Sequence, residues 1–231
     1  MGSWIELESG GRAWLALPPA GEGPGVLALH AWWGLNATFR HLADRLAAEG
    51  FVVLAPDLYG GVVVDTIAEA EAESDRRPWK DTLAIVRASA DRLVADRDEI
   101  GPGIGVIGMS YGAAYALALA AMPAADSRHI EAIDAVVLIY GSGGDLDWSV
   151  SKAAFQGHFA ADDPYETAEN VDALEASLRA AGRSVDFHRY PATGHWFMER
   201  DRADAYNAEA AELAFGRIVG FLRENLGPAA A

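Results

Sequence analysis

The sequence predicts an α/β fold, a mainly parallel sheet covered by helices on both faces. Two observations carry this. Short apolar runs such as Val26–His30, Phe51–Ala55 and Ala135–Tyr140 alternate with longer segments of helical spacing. Strands buried on both faces read as continuous apolar runs, and the intervening helices supply the crossovers that parallel pairing needs. The second observation is residues 104–122. A largely β-branched run, Ile104–Ile107, ends in Gly108-Met109-Ser110-Tyr111-Gly112, and a small-residue helix pattern, Ala113–Met122, follows at once. That is strand, sharp turn and helix.

The elements follow in chain order. Early strands are expected at Trp4–Glu8, Arg12–Leu17 and Val26–His30, with a turn over Pro18–Gly25. Phe39–Glu49 has helical spacing, with Phe39, Leu42 and Leu46 on one face and Gly50 as its stop. Phe51–Ala55 is a buried strand and Pro56–Gly61 a loop. Ile67–Asp75 and Trp79–Asp96 read as helices, the second longer and amphipathic. After the strand–turn–helix unit come a buried strand at Ala135–Tyr140, a strand at Ala154–Phe159 and a helix at Glu166–Ala181. Val185–Tyr190 is the last strand and Ala203–Leu226 the last helix, with Gly227–Ala231 as a frayed tail.

At 231 residues, 51% of them apolar and 23% charged, the whole chain 1–231 is expected to form one domain with a full core. No apolar run approaches the length of a membrane span, and the first residues lack the pattern of a signal peptide. The absence of cysteine excludes disulfides, thiolate catalysis and Cys-based metal sites, and it fits a cytoplasmic protein. The formal charge of −16 would repel nucleic acid and anionic membranes. No His or carboxylate spacing suggests a metal, and no cofactor is expected. Gly103–Gly108 matches G-x-G-x-x-G, but its glycines lie along the strand instead of following it, so a dinucleotide site is not expected.

Chemistry concentrates at Ser110. Glycines two positions away on either side let strand and helix approach closely around a strained serine. The result is an exposed Oγ at a helix N-terminus, where backbone N–H groups can stabilise developing negative charge. Such a serine needs a base, and the base needs an orienting acid. His195 sits in a Gly-containing loop after the last strand, well placed to swing over the turn. His41 and His129 lie in polar helical or loop surroundings, while His158 and His188 lie inside strands. His30 ends an early strand and reads as a packing or loop-orienting group. For the acid, Asp162 and Asp163 stand side by side after the 154–159 strand, and local chemistry does not choose between them.

The set of motifs resembles the dienelactone hydrolase family of the α/β-hydrolase fold. The resemblance runs over nearly the whole chain. It rests on Leu29-His-Ala-Trp-Trp-Gly-Leu-Asn36, Ala43-Asp-Arg-Leu-Ala-Ala-Glu-Gly-Phe51, Ala55-Pro-Asp-Leu-Tyr-Gly60, the 108–112 turn, His158-Phe-Ala-Ala-Asp-Asp-Pro164 and Tyr190-Pro-Ala-Thr-Gly-His-Trp-Phe197. It implies Ser110, Asp163 and His195 as catalytic residues, because the family places its acid immediately before a proline. It also implies an oxyanion hole built from the backbone N–H groups of Trp32 and Tyr111. Trp33, Tyr59, Trp148 and Trp196 lie near the expected loops and are candidate pocket residues, although each taken singly reads first as packing.

Two departures from the family pattern matter. Its best-known members use a cysteine where this chain has Ser110, and a glutamate where it has Ala31. They also bind a substrate carboxylate with arginines, one of them four residues after the histidine, where this chain has Glu199. The expected substrate is therefore a small uncharged or hydrophobic ester or lactone. The alternatives are a thioesterase or acyltransferase using the same three residues, and a catalytically silent fold that binds a small ligand. No oligomeric state is legible.

Overall fold

The computed structural model describes residues 1–7, 10–95, 103–122 and 132–227. Its strands are β1 (Ser3–Glu6), β2 (Arg12–Ala16), β3 (Gly25–Leu29), β4 (Val52–Pro56), β5 (Ile104–Met109), β6 (Ile133–Ile139), β7 (Ala154–Ala160) and β8 (Val185–Tyr190). Its helices are α1 (Ala37–Ala48), α2 (Ile67–Asp75), α3 (Trp79–Ala95), α4 (Tyr111–Ala120), α5 (Ala168–Ala180) and α6 (Ala208–Leu226). The strands form one sheet in the order β1-β2-β4-β3-β5-β6-β7-β8. β1 and β2 run antiparallel at one edge, and every pairing from β4 to β8 is parallel. The fold is the α/β-hydrolase fold that the sequence predicts.

The two-residue period of the strands divides the core. Val26 and Ala28 of β3, Ile107 and Met109 of β5, and Val137 and Ile139 of β6 face one side, where α1 and α6 pack. Leu27, Leu29, Val106, Val136 and Leu138 face the other, against α3, α4 and α5. The chain turns outward from β3 to β4 and then crosses back over β3 to β5. Chain order therefore reverses between β3 and β5. A crevice at the carboxyl ends of the strands opens at such a switch point, and ligands bind there in open α/β sheets.

Side-chain caps set the helix starts, and they move several expected boundaries. Asn36 accepts from the N–H groups of Thr38 and Phe39, so α1 begins at Ala37 instead of Phe39. Thr66 and Glu69 form a capping box at the start of α2. Thr167 caps α5, which leaves Glu166 outside the helix. Asn207 caps α6, so the expected helix over Ala203–Leu226 begins only at Ala208, with turns before it. The elbow strand runs on to Met109, and its helix starts at Tyr111 directly after Ser110. The ends of the expected elements at Glu8 and Asp96, most of the tail and His129 lie outside the described residues. Among the described residues no helix is long and apolar enough to cross a membrane.

Candidate active site

Ser110 stands at the carboxyl end of β5 with φ 48° and ψ −110°, a strained conformation for a residue with a side chain. Its N–H donates to Ile139 O of β6 (2.9 Å), and its own carbonyl accepts from Ala113 N–H (2.8 Å). The turn closes only because its glycines lack side chains. A Cβ at Gly108 would lie 2.5 Å from Ala113 Cα, and one at Gly112 would lie 2.5 Å from Leu29 O and 2.8 Å from His30 O. The same contacts press the first turn of α4 onto the end of β3. They bring Tyr111, the first residue of α4, close to the end of β3 and the start of the loop that carries Trp32.

His195 lies in the loop after β8, with its Nε2 2.9 Å from Ser110 Oγ. Its Nδ1 is 2.7 Å from Asp163 Oδ2, and both side chains of this second pair are almost fully buried. Asp163 Oδ1 accepts from the N–H groups of Tyr165 (2.9 Å) and Glu166 (3.0 Å), which fixes the carboxylate plane. Glu166 in turn accepts from the N–H and Oγ–H of Ser142, tying the loop after β7 to the loop after β6. Asp162 takes a different part: it is exposed, and its N–H donates to Thr193 O (3.2 Å). Ser110, His195 and Asp163 are thus joined in one hydrogen-bonded chain, and Asp162 is not part of it. With Nδ1–H donated to the carboxylate, Nε2 is left to accept from the serine hydroxyl.

Aromatic side chains surround this chain. Tyr165, half exposed, lies 5.1 Å ring to ring from His195 and packs against Trp32 and Trp196. Tyr140 lies 4.9 Å ring to ring from His195. Neither tyrosine was legible as a site residue, since each carries only a strand-end or loop signal in sequence. Trp33 is buried beneath Trp32 and Trp196, with the Arg202 guanidinium 3.6 Å above its ring. Tyr59 is buried at the edge of the Tyr111 ring. Trp148 stands apart from this group. Its indole donates to Ser177 Oγ (3.1 Å) and its ring packs on Phe155, so it is a core residue. Of the four non-glycine residues with positive φ among those described, Ser110, Tyr140 and Trp196 all lie against His195. Such strain persists only where the surrounding packing over-determines it.

His30 does the loop-orienting work expected of it. Its Nε2 accepts from Leu58 N–H (3.1 Å) and its Nδ1 bonds Ala31 O (2.6 Å), joining the loops after β3 and β4. Burial lowers its pKa to about 4, so the ring is neutral.

Arg76 and Arg77 both bind Glu73 (2.9 and 2.7 Å), and Arg77 also donates to Tyr59 O. Glu199, where the family pattern carries an arginine, is fully buried and accepts from Tyr140 Oη–H at 2.7 Å. Its second oxygen makes no well-formed hydrogen bond, although the Trp33 indole is close enough to favour the ionised form. Burial pushes the Glu199 carboxyl up to about 8, and Asp201 adds to the rise, while the Tyr140 hydroxyl and Arg202 oppose it.

A pH prediction follows. From about pH 4.5 to about pH 8 the folded chain holds a proton on Glu199 that the unfolded chain has released, so stability falls as pH rises across that window. Glu199→Gln keeps an acceptor for Tyr140 but does not titrate. Urea unfolding of the two proteins at a series of pH values should show nearly equal stability near pH 4.5. The variant should gain on its parent by roughly 3–5 kcal/mol towards pH 8. A difference that does not change with pH would contradict the protonated carboxyl.

The sequence matches the profile of the dienelactone hydrolase family over residues 12–226. The chain belongs to that family. This dienelactone hydrolase-family chain is 30% identical to the protein usf of Aquifex pyrophilus over 239 residues, covering 98% of this chain and 100% of that protein. It is also 30% identical to a carboxymethylenebutenolidase of a Pseudomonas species, over 95% of this chain and 93% of the other. In structure it is similar to a dienelactone hydrolase-like promiscuous phosphotriesterase from metagenomic libraries. That likeness has a TM-score of 0.83 at 21% identity, covers 98% and 99% of the two chains, and shows a shared fold.

Proposed function

We propose that the protein is a serine hydrolase that cleaves a small uncharged carboxylic ester or lactone through an acyl-enzyme on Ser110. The observation that carries this reading is the chain Ser110 Oγ–His195 Nε2–Asp163 at 2.9 and 2.7 Å, set on a strained strand-to-helix turn.

Ser110 Oγ attacks the carbonyl carbon while His195 Nε2 takes its proton. Asp163 holds the imidazole in the tautomer that can accept and stabilises the imidazolium that forms. The negative charge on the former carbonyl oxygen is held by the N–H groups of Trp32 and Tyr111, at a helix N-terminus that adds its own dipole. The tetrahedral species collapses, the C–O bond to the leaving group breaks, and the alkoxide takes the proton from Nε2. A lactone ring opens at this step and its alcohol stays attached to the acyl group. Water, deprotonated by His195, then attacks the acyl carbon and restores Ser110.

Two observations support an uncharged substrate. The position of a carboxylate-binding arginine in the family pattern is held by buried Glu199. The rings of Tyr165 and Trp196 lie against His195, and Trp32 packs on both of them. The test is a panel of aryl and alkyl esters and lactones, each paired with an analogue bearing a free carboxylate on the acyl group. The neutral member should have the higher kcat/KM by about tenfold or more, the cost of an unpaired charge in the site. A preference for the carboxylated member would overturn the substrate class. No turnover of any member would overturn the activity.

A further inference from the structure

A cavity of about 220 Å³ opens between α1 and the chain that runs from His195 into α6. No residue of the candidate active site lines it. Its walls are apolar: Phe39 and Leu42 come from α1, Met109 from the end of β5, and Met198 from the loop after His195. Phe39 and Met109 belong to the core beneath, so the floor is fixed by packing and the pocket is preformed.

The rim has a different chemistry. Arg45 and Arg200 both line the cavity, and both reach the same carboxylate, Glu212, at 2.6 and 3.1 Å. Two guanidinium groups share one carboxylate, and Arg200 also bonds the Tyr206 side chain on the same wall, so these three charged side chains sum to one net positive charge at the mouth. That local excess stands out in a chain whose formal charge is −16. His41 lines the same rim. The Arg45 guanidinium is seated over the Phe215 ring at 3.8 Å, so its fork is held in place instead of sweeping through solvent.

We infer that this cavity is a binding site for a small monocarboxylate with an apolar tail, the tail lying among Phe39, Leu42, Met109 and Met198 and the carboxylate meeting Arg45 and Arg200. The volume admits a short alkyl tail and not a long fatty chain. The site is separate from the Ser110 centre and does not depend on the reading of that centre.

The chain has four methionines, Met1, Met109, Met122 and Met198, and two of them line the cavity. The experiment is therefore a titration of protein labelled with ¹³C at the methionine methyls, followed by NMR, with octanoate as the probe. Octanoate should shift Met109 and Met198 in a saturable way and leave Met1 and Met122 in place. Octylamine, with the opposite head charge, should not bind. Arg45→Ala should weaken octanoate about tenfold, the loss expected for one charge-assisted contact. Leu42→Trp, which fills the cavity, should abolish the shifts. Absence of a saturable shift up to about 10 mM, far weaker than a functional small-ligand affinity, would overturn the site. So would shifts that survive Leu42→Trp. Equal binding of octylamine, or undiminished binding by Arg45→Ala, would overturn the assignment of the head group.

Discussion

Replacing Ser110 by alanine is expected to lower kcat for ester hydrolysis by about ten-thousand-fold or more. The substrate must then be attacked by water without an intermediate on the protein. Binding and the N–H groups around the oxyanion would remain, and these alone leave a residual rate well above that in solution. The serine makes no contact that holds the fold together beyond its backbone bonds to Ile139 and Ala113, and alanine keeps both. The variant should therefore fold normally and bind substrate with little change in KM. Steady-state kinetics on a neutral aryl ester, with circular dichroism as the check on folding, measures the effect. Turnover within a few-fold of the parent would remove Ser110 from the chemistry.

Asp163→Asn is expected to cost about three to four orders of magnitude in kcat, while Asp162→Asn should stay within a few-fold of the parent. The two residues are neighbours in sequence but have different partners. Asp163 Oδ2 faces His195 Nδ1 at 2.7 Å, and its Oδ1 is held by the N–H groups of Tyr165 and Glu166. The asparagine Oδ1 can keep the two backbone bonds, so the loop survives. Its amide group then points two donors at Nδ1. That forces the proton onto Nε2, and the imidazole can no longer accept from Ser110. Asp162 is exposed and engages Thr193 only through its backbone, which any side chain preserves. Measuring both variants on one substrate separates the roles. Equal losses would show that the effect belongs to the charge of the loop and not to a contact with His195.

The α/β architecture was legible because it is written locally. Two-face burial makes β3, β5 and β6 continuous apolar runs, and the turn at 108–112 needs glycines that sequence displays openly. Ser110 and His195 stood out for the same reason, one at an elbow and one in a late Gly-containing loop. The choice between Asp162 and Asp163 was not local. It depends on which side chain turns towards a histidine 32 residues away, and only the family resemblance pointed to Asp163. Glu199 was noticed as the residue standing where an arginine was expected. Its burial against Tyr140 depends on the path of the 196–207 segment, which has turns where a helix was expected from Ala203. Trp148, a pocket candidate for its place near the expected loops, packs on Phe155 and donates to Ser177, contacts made in the fold that no local pattern displays. The cavity under Arg45 and Arg200 has no sequence signature, because α1, β5 and the His195 loop meet there only after folding.

The most direct test of an activated serine is intact mass after incubation with a fluorophosphonate, with peptide mapping of any adduct. The account predicts one adduct per chain, located on Ser110 and lost in His195→Ala, because the reagent modifies a serine that a base has made nucleophilic. No adduct, under conditions that label a control esterase to completion, would contradict it.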